Sequence, residues 1–418
     1  MLSDTSRPIV EATLPVVGAN IGEIAKRFYA HMFEERPDLL DGLFNRGNQA
    51  DGRQQQALAG SVAAFAGLLV NSPGELPEHL MSRISHKHVS LGLRPDHYQI
   101  VHDHLMWAIG DVLGDAVTPE IASAWDEVYW LMANMLRNQE RTMYAAADLS
   151  PETVWDTWRV TEKIRETEDV VTFVVESTND RSGKRSLPGQ YVTLKALMPD
   201  GVHQPRQYSL TQADDGQHRR FSVKRLHGSP TPDGEVSNLL HSSTDVGDEV
   251  VLSAPFGDVV LAPGTRPIVF ATAGIGITPM AGMLSHLARS SSTRMVALLH
   301  ADESSDTFAL QSQVRADLAR LPGATLTTWF MEPSQPPSPD TAQNAGSGRQ
   351  FTGFMDLSLL ELPADAEYYL CGPLAFMQMV RSALILRGVT ARDIRYEVFG
   401  PDLWLAEFQS ADPVLAAL

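Results

Sequence analysis

Ile268-Val269-Phe270-Ala271-Thr272 runs through Ala273 into Gly274-Ile275-Gly276-Ile277-Thr278-Pro279, and this stretch decides how the second half of the chain folds. Five uncharged residues, rich in β-branched and aromatic side chains, read as a strand buried on both faces. Two glycines spaced by one residue let backbone N–H groups approach a phosphate closely. Thr278-Pro279 reads as the cap and first position of a helix whose positive end favours anions. A glycine turn alone is as often merely structural; strand, turn and helix in that order make the phosphate-cradling unit of a parallel α/β sheet.

Toward the C-terminus the same rhythm continues. Met295–Leu299, Thr325–Phe330, Tyr368–Leu370 and Ile394–Tyr396 are strand-like, with helical stretches between several of them. Residues 332 to 350, rich in Pro, Ser, Gln and Gly, read as a flexible loop. Toward the N-terminus the spacing shortens. Asp169–Val175, Tyr191–Leu194, Arg220–Lys224 and Glu249–Leu252 are separated by turn signals at Pro188-Gly189, Pro199-Asp200-Gly201 and Asp214-Asp215-Gly216, which suggests an antiparallel barrel. Before Trp155 the strands disappear. Apolar side chains recur at helical spacing from Ile21 through Phe33, and again in Leu58/Val62/Phe65/Leu69, Val101/Leu105/Ala108/Val112 and Tyr129/Met132/Ala133/Leu136/Met143. Thr118-Pro119-Glu120 is a helix start. The expected architecture is multidomain: all-α over residues 1–148, an antiparallel β-barrel over 149–262, an α/β parallel-sheet domain over 263–401, and an extension over 402–418 that includes Leu403, Trp404 and Phe408. No internal repeat is visible.

Composition bounds the partners. The 418 residues carry a formal charge of -18, which argues against nucleic acid or an anionic membrane surface. Hydrophobic content of 43% and charged content of 20% are those of an ordinary globular protein. The single cysteine excludes an intrachain disulfide and any Cys-ligated cluster, and fits a reducing cytoplasmic setting. Met1-Leu2-Ser3-Asp4 shows no secretory signal, and no apolar run reaches the length of a bilayer span, so no stable membrane insertion is expected. Without Cys-x-x-Cys-His, any haem would be held non-covalently.

Two further motifs accompany the glycine turn. Arg206-Gln207-Tyr208-Ser209 opens a β-like segment: arginine offers a fork to phosphate, an aromatic ring can stack on isoalloxazine, and a serine hydroxyl can reach a ring nitrogen. In isolation an exposed Arg beside a core Tyr is common. Gly234-Glu235-Val236-Ser237-Asn238 is a second small, polar segment suited to a flavin pyrophosphate. Together with Cys371-Gly372-Pro373, these pieces resemble the ferredoxin-reductase-like FAD/NAD(P)H module. The resemblance implies that Tyr191, Arg206, Gln207, Tyr208, Ser209, Ser237 and Asn238 lie against FAD. It implies that Gly274, Ile275, Gly276, Ile277, Thr278 and Pro279 hold the nicotinamide cofactor, with Cys371, Gly372 and Pro373 beside the nicotinamide. Cys371 is given no chemical role beyond packing. The acidic His300-Ala301-Asp302-Glu303 after the next strand would welcome a ribose hydroxyl and repel a 2′-phosphate, which favours NADH over NADPH.

Joined to the helical first third, the whole resembles a flavohaemoglobin from the N-terminus to Glu397-Val398-Phe399-Gly400-Pro401, a last segment the resemblance also assigns to cofactor binding. It implies haem b with His88, in Ser85-His86-Lys87-His88, as the iron ligand, and Tyr98 and Glu140 as its hydrogen-bonding pair. A carboxylate on the far ring nitrogen fixes the tautomer and makes the imidazole a stronger donor. Tyr29 and Gln54 match the ligand-stabilising distal pair, Leu58 the apolar residue over the iron, and Phe44 the aromatic that wedges the haem plane. Lys87 and Glu397 match residues lying between flavin and haem. Read without the resemblance, His88 is a satisfied helix histidine, Glu140 a solvated face residue and Tyr29 a core tyrosine.

The resemblance implies a nitric oxide dioxygenase that oxidises nitric oxide to nitrate with dioxygen and NAD(P)H, electrons passing from nicotinamide to FAD to haem. Two other classes are weighed against it: an oxygen-binding or sensing globin, and a general flavin reductase of peroxides, quinones or ferric compounds. No signalling output domain follows the reductase, which counts against sensing. A monomer is expected, and the pocket could also take an apolar or lipid guest.

Overall fold

The computed structural model describes residues 1–50, 52–71, 78–179, 184–228, 233–332 and 348–400. The extension over 402–418, Pro401 and residues 333–347 of the expected loop lie outside them. Met1–Trp155 with Lys195–Arg206 forms one unit, and Asp156–Leu194 with Gln207–Phe399 a second. Among the described residues no helix is long and apolar enough to cross a membrane.

In the first unit α1 (Ser6–Glu35), α2 (Arg46–Ala50), α3 (Arg53–Asn71), α4 (Glu78–Ser90), α5 (His97–Leu113) and α6 (Pro119–Ala146) enclose one core. Phe28, Met32, Phe65, Met81, Leu105, Trp125 and Leu136 are all buried in it. The stripe seen from Ile21 is only the second half of α1. Its first half contains Pro15, which cannot donate to the helical ladder, and buries only Ser6, Val10 and Val17 before Ile24, a seam too sparse to read as a face. α6 starts as the sequence implies, with Thr118 Oγ1 accepting from Ile121 N–H at 3.3 Å and Pro119 in the first position.

The segment Lys195–Arg206 joins this unit through contacts that no local pattern announces. His203 N–H and Nδ1 lie 2.7 and 2.9 Å from the Asp41 carboxylate, Gly42 N–H donates to His203 O at 3.0 Å, and Arg46 N–H donates to Gln204 Oε1 at 3.0 Å. All three acceptor or donor groups lie within five residues of Phe44, so that loop is pinned from outside the helices.

The antiparallel sheet contains β1 (Trp155–Arg165), β2 (Val170–Ser177), β3 (Tyr191–Leu197), β4 (His203–Ser209), β5 (His218–Lys224) and β6 (Glu249–Ser253) in the order β4-β3-β6-β1-β2-β5. A bridge between Leu210 and Phe221 links the two outer strands and closes the barrel. α7 (Glu235–Ser243) follows β5.

The remainder alternates β7 (Ile268–Ala273), α8 (Ile277–Arg289), β8 (Val296–Asp302), α9 (Gln311–Ala319), β9 (Thr325–Phe330), β10 (Arg349–Thr352), β11 (Glu367–Cys371), α10 (Leu374–Leu386) and β12 (Ile394–Glu397). The sheet is parallel, in the order β10-β9-β8-β7-β11-β12. The chain lays β8, β9 and β10 on one side of β7, then returns to lay β11 and β12 on the other. That reversal puts a crevice at the carboxyl ends of β7 and β11. Arg349 and Gln350, expected in a loop, begin β10 instead; its four residues are too few and too exposed to show alternation.

Candidate functional site

In the helical unit one charge is buried among rings. Glu140 on α6 is only 5% exposed, and a carboxylate there must be paired. Its Oε1 lies 2.8 Å from His88 Nδ1, in the last turn of α4, and accepts from Tyr98 Oη, near the start of α5, at 2.5 Å. Tyr98 Oη also lies 3.1 Å from His88 Nδ1. Burial, and then the Glu140 charge, push the Tyr98 hydroxyl far above its ordinary range, so it stays protonated and donates. A carboxylate on Nδ1 selects the tautomer with the proton there, leaving the lone pair on Nε2. That is the nitrogen a haem iron takes. Two tyrosines to which the sequence assigned no site role hold this corner: Tyr144 Oη donates to Val89 O and Leu93 O at 3.3 and 3.4 Å, and Tyr129 Oη to Tyr98 O at 2.5 Å. Tyr129 stood in the recognised stripe of α6, but a stripe does not say where a hydroxyl goes.

Tyr29 on α1 belongs to the same core, with its hydroxyl driven upward by burial and hydrogen-bonded to Gln54 of α3. Its ring meets Phe28 edge-on at 4.7 Å, stacks on Phe33 at 5.7 Å and meets Phe44 edge-on at 6.0 Å. Leu58 packs partly buried against this core, and Lys87 is half-buried beside His88. The structure therefore brings His88, Tyr98 and Glu140 into one constellation, and Tyr29 and Gln54 into another. The donor set suits a porphyrin iron: an imidazole, a protonated phenol hydroxyl and an amide in an apolar, aromatic surround.

In the second unit the glycine turn and the Cys-Gly-Pro motif meet at the crevice, although about 95 residues separate them in the chain. A Cβ on Gly276 would lie 2.3 Å from Cys371 O, and one on Gly372 would lie 3.0 Å from the Ala273 Cβ. Only glycine fits at residue 276. The cap differs from expectation. Gly274–Gly276 already forms a 3-10 turn, so α8 begins at Ile277 with Gly276 as its cap, and Thr278 and Pro279 fall second and third. Thr278 Oγ1 donates back to Ile275 O at 2.9 Å and makes no cap. No side chain caps this end, which leaves first-turn amides facing the crevice for a pyrophosphate. The Cys371 thiol is pushed up by burial and then by the Glu397 charge, consistent with a packing role alone. Val398 follows β12, Phe399 is 47% exposed and Gly400 has a φ of 114°.

Arg206-Gln207-Tyr208-Ser209 ends β4 and does not open a strand. The half-buried Tyr208 ring stacks on Phe221 at 5.5 Å, which stacks on Phe173 at 5.7 Å. Gln207 Nε2 donates to Thr193 Oγ1 at 3.3 Å, Arg206 Nη1 donates to Pro205 O at 2.8 Å, and Ser209 is buried. Tyr191 is buried and pairs with Phe256; a Cβ on Gly257 would lie 3.2 Å from its ring. Ser237 Oγ accepts from Leu226 N–H at 3.2 Å and donates to Gly234 O at 3.0 Å, while Asn238 Nδ2 donates to Leu226 O and Gly234 O at 3.1 and 3.0 Å. Those two side chains knit the approach to α7, and its first-turn amides, capped by no side chain, suit a second phosphate.

At the end of β8, burial raises the Asp302 carboxyl, but hydrogen bonds from His300 and Thr307 outweigh it and hold the group below its usual range. The negative charge is therefore kept there, although Oδ1 is occupied by Thr307 Oγ1 at 2.7 Å and Glu303 N–H at 2.8 Å.

Comparison with known proteins agrees with this division. Residues 26–136 match the globin family, 157–260 the oxidoreductase FAD-binding domain and 270–382 the oxidoreductase NAD-binding domain. A flavohemoprotein of Chromobacterium violaceum is 40% identical over 410 residues, covering 96% of this chain and 98% of its own. One from Deinococcus radiodurans is 37% identical over 424 residues, covering 99% of this chain and 100% of its own. A flavohemoglobin of Malassezia yamatoensis, solved with bound FAD and heme, superposes with a TM-score of 0.86 at 36% identity, over 96% of this chain and 100% of that one.

Proposed function

Because the chain belongs to the flavohaemoprotein family, we propose that it is a nitric oxide dioxygenase that binds haem b, FAD and NAD(P)H. The reaction takes nitric oxide, dioxygen and one electron to nitrate, so one hydride serves two turnovers. The haem, when bound, supplies a one-electron centre that activates dioxygen, and the flavin splits the hydride into single electrons. Everything else is the work of side chains and backbone amides.

His88 would hold the iron through Nε2, with Glu140 fixing the tautomer through Nδ1 and making the ring a stronger donor. Tyr98 takes the same carboxylate oxygen as donor, so the imidazole cannot swing away from it. Tyr29 stays protonated through burial and can donate to an oxygen that gains negative charge, with Gln54 setting the direction of its hydroxyl. Phe33 and Phe44 exclude water around that hydroxyl. The amides at the head of α8 would hold the nicotinamide cofactor's pyrophosphate, those at the head of α7 the flavin's, and Tyr208 would flank the flavin ring. The charge kept at Asp302 supports NADH over NADPH.

The observation that carries this reading is the His88–Glu140–Tyr98 triad, built on a buried carboxylate, in a chain that also has the nucleotide crevice. The test is rapid mixing of the reduced, oxygenated protein with nitric oxide, followed by nitrate analysis. One nitrate per nitric oxide consumed, sustained by NADH, is expected. Oxygen binding without nitrate formation would overturn the proposal.

A further inference from the structure

Two histidines and a glutamate meet on the seam between α1 and α5, and the chemistry above uses none of them. His31 Nδ1 lies 2.8 Å from His104 Nδ1, and His31 Nε2 lies 3.3 Å from Glu35 Oε1. One ligand atom from each of the three lies within 4.8 Å of those from the other two. The His31 ring rests flat on Trp107, 3.7 Å between centroids and 7° between planes, so its orientation is set by packing. His104 is buried at 7% exposure while the Glu35 side chain is 60% exposed, giving a buried floor with one open side.

Two imidazole nitrogens 2.8 Å apart share one proton, because neither ring can hold its proton there while the other does. Burial, and then the proximity of His31, lower the His104 pKa, so the ring is neutral and keeps a lone pair. The charged groups facing His104 are Glu35 and Asp103, which favour a cation, and Arg36, which opposes one. Arg36 is taken up by Asp38, with two contacts of 2.9 and 2.8 Å, and does not occupy Glu35. Two imidazoles and a carboxylate suit borderline-soft divalent ions and not calcium or magnesium, which take oxygen shells.

We propose that His31, His104 and Glu35 form a binding site for one divalent transition-metal ion of the zinc or copper class, which replaces the proton shared by the two rings. Metal–nitrogen bonds of about 2.0–2.1 Å at a tetrahedral angle separate the two nitrogens by roughly 3.3 Å, so the rings part by about half an ångström. The carboxylate offsets charge, and Trp107 holds His31 in plane.

The test uses the full-length protein with its cofactors, dialysed against buffered Zn²⁺ and analysed for zinc per chain by mass spectrometry. Wild type is expected to retain one more zinc at micromolar free Zn²⁺ than His31→Gln or His104→Gln. Glu35→Gln is expected to raise the half-saturating zinc concentration about tenfold. Haem and flavin content, measured in the same samples, reports whether each variant is folded. If His104→Gln does not fold, His31→Gln and Glu35→Gln, whose side chains are not fully buried, carry the test. Zinc content indifferent to replacing any one of the three residues, or no saturable binding, overturns the site.

Discussion

In the helical unit a carboxylate is buried and side chains from two other helices converge on it; at the crevice of the α/β sheet the decisive groups are glycines and backbone amides. The first arrangement depends on charge and on the packing that keeps Glu140 dry. The second depends on the absence of a Cβ where Gly276 passes Cys371 O at a distance no side chain tolerates. One is sensitive to chemistry, the other to volume. The difference predicts that each can be destroyed without the other.

The largest effects come from that dissociation. His88→Ala removes the Nε2 lone pair, so the protein is expected to lose haem absorbance and nitrate production together. Its NADH-driven reduction of ferricyanide should stay within about twofold, since the crevice is untouched. Gly276→Ala forces a methyl against a backbone carbonyl. A shift of about an ångström at a positioning turn costs on the order of 10²-fold in rate. Ferricyanide reduction should fall by about that factor while the haem spectrum stays normal. Haem loss in Gly276→Ala, or slowed ferricyanide reduction in His88→Ala, would break the comparison.

A finer cut separates charge from hydrogen bonding inside the triad. Glu140→Gln keeps an acceptor for His88 and Tyr98 but removes the charge. Partners of metal-ligating histidines typically contribute 10–100-fold to affinity or activity, so about tenfold slower nitric oxide turnover with haem retained is expected. Glu140→Ala also leaves the buried Tyr98 hydroxyl without its acceptor, at a cost of about 1–3 kcal/mol, visible in thermal unfolding. Equal turnover in Glu140→Gln and wild type would mean that the carboxylate's charge does no electronic work.

Legibility in the sequence follows the same division. The strand, glycine turn and helix of β7–α8 were readable because the backbone there demands fixed residue types at fixed spacing, and β9 was read to its limits because its six residues are an unbroken run of threonine, leucine and aromatic side chains. The helix start was misplaced because Thr278 and Pro279 fit a cap as well as they fit the second and third positions; only the 3-10 turn decides between them. The triad is another matter. His88, Tyr98 and Glu140 span 52 residues, and each has an ordinary local reading. A resemblance to a known family could align them, but nothing in composition or periodicity says that three helices bring them within 3.1 Å. The anchoring roles of Tyr144 and Tyr129 stayed hidden because a hydroxyl's acceptor, here a backbone carbonyl on another helix, leaves no mark in the local sequence. The clasp of Asp41, Gly42 and Arg46 on residues 203 and 204 escaped because a contact across about 160 residues has no local signature.

The smallest effect concerns pH, where the α/β sheet has its own buried titratable ring. His300 is fully buried, stacked on Phe308 at 3.8 Å, with Nδ1 2.8 Å from Thr272 Oγ1 and Nε2 3.3 Å from Asp302 Oδ2. Burial lowers its pKa, and the hydrogen bond and charge of Asp302 recover only part of that. Above about pH 6.5, the ordinary histidine value, the ring is neutral in both folded and unfolded chains and contributes no pH dependence. Below it the unfolded chain takes up a proton that the folded chain refuses, so stability falls with falling pH, by at most about 1.4 kcal/mol per pH unit for one such group. His300→Gln removes this proton uptake. The variant should be less stable than wild type at pH 7.5, because it loses the stacking on Phe308, and the gap should narrow between pH 6.5 and 5 as wild type alone pays the protonation cost. Thermal unfolding followed by flavin fluorescence release reads the second unit, and loss of the haem band reads the first. Narrowing confined to the flavin signal would assign the acid sensitivity to the sheet. A gap that stays constant or widens toward pH 5 would mean that the folded protein accommodates a charged ring at His300, with Asp302 as its counter-ion.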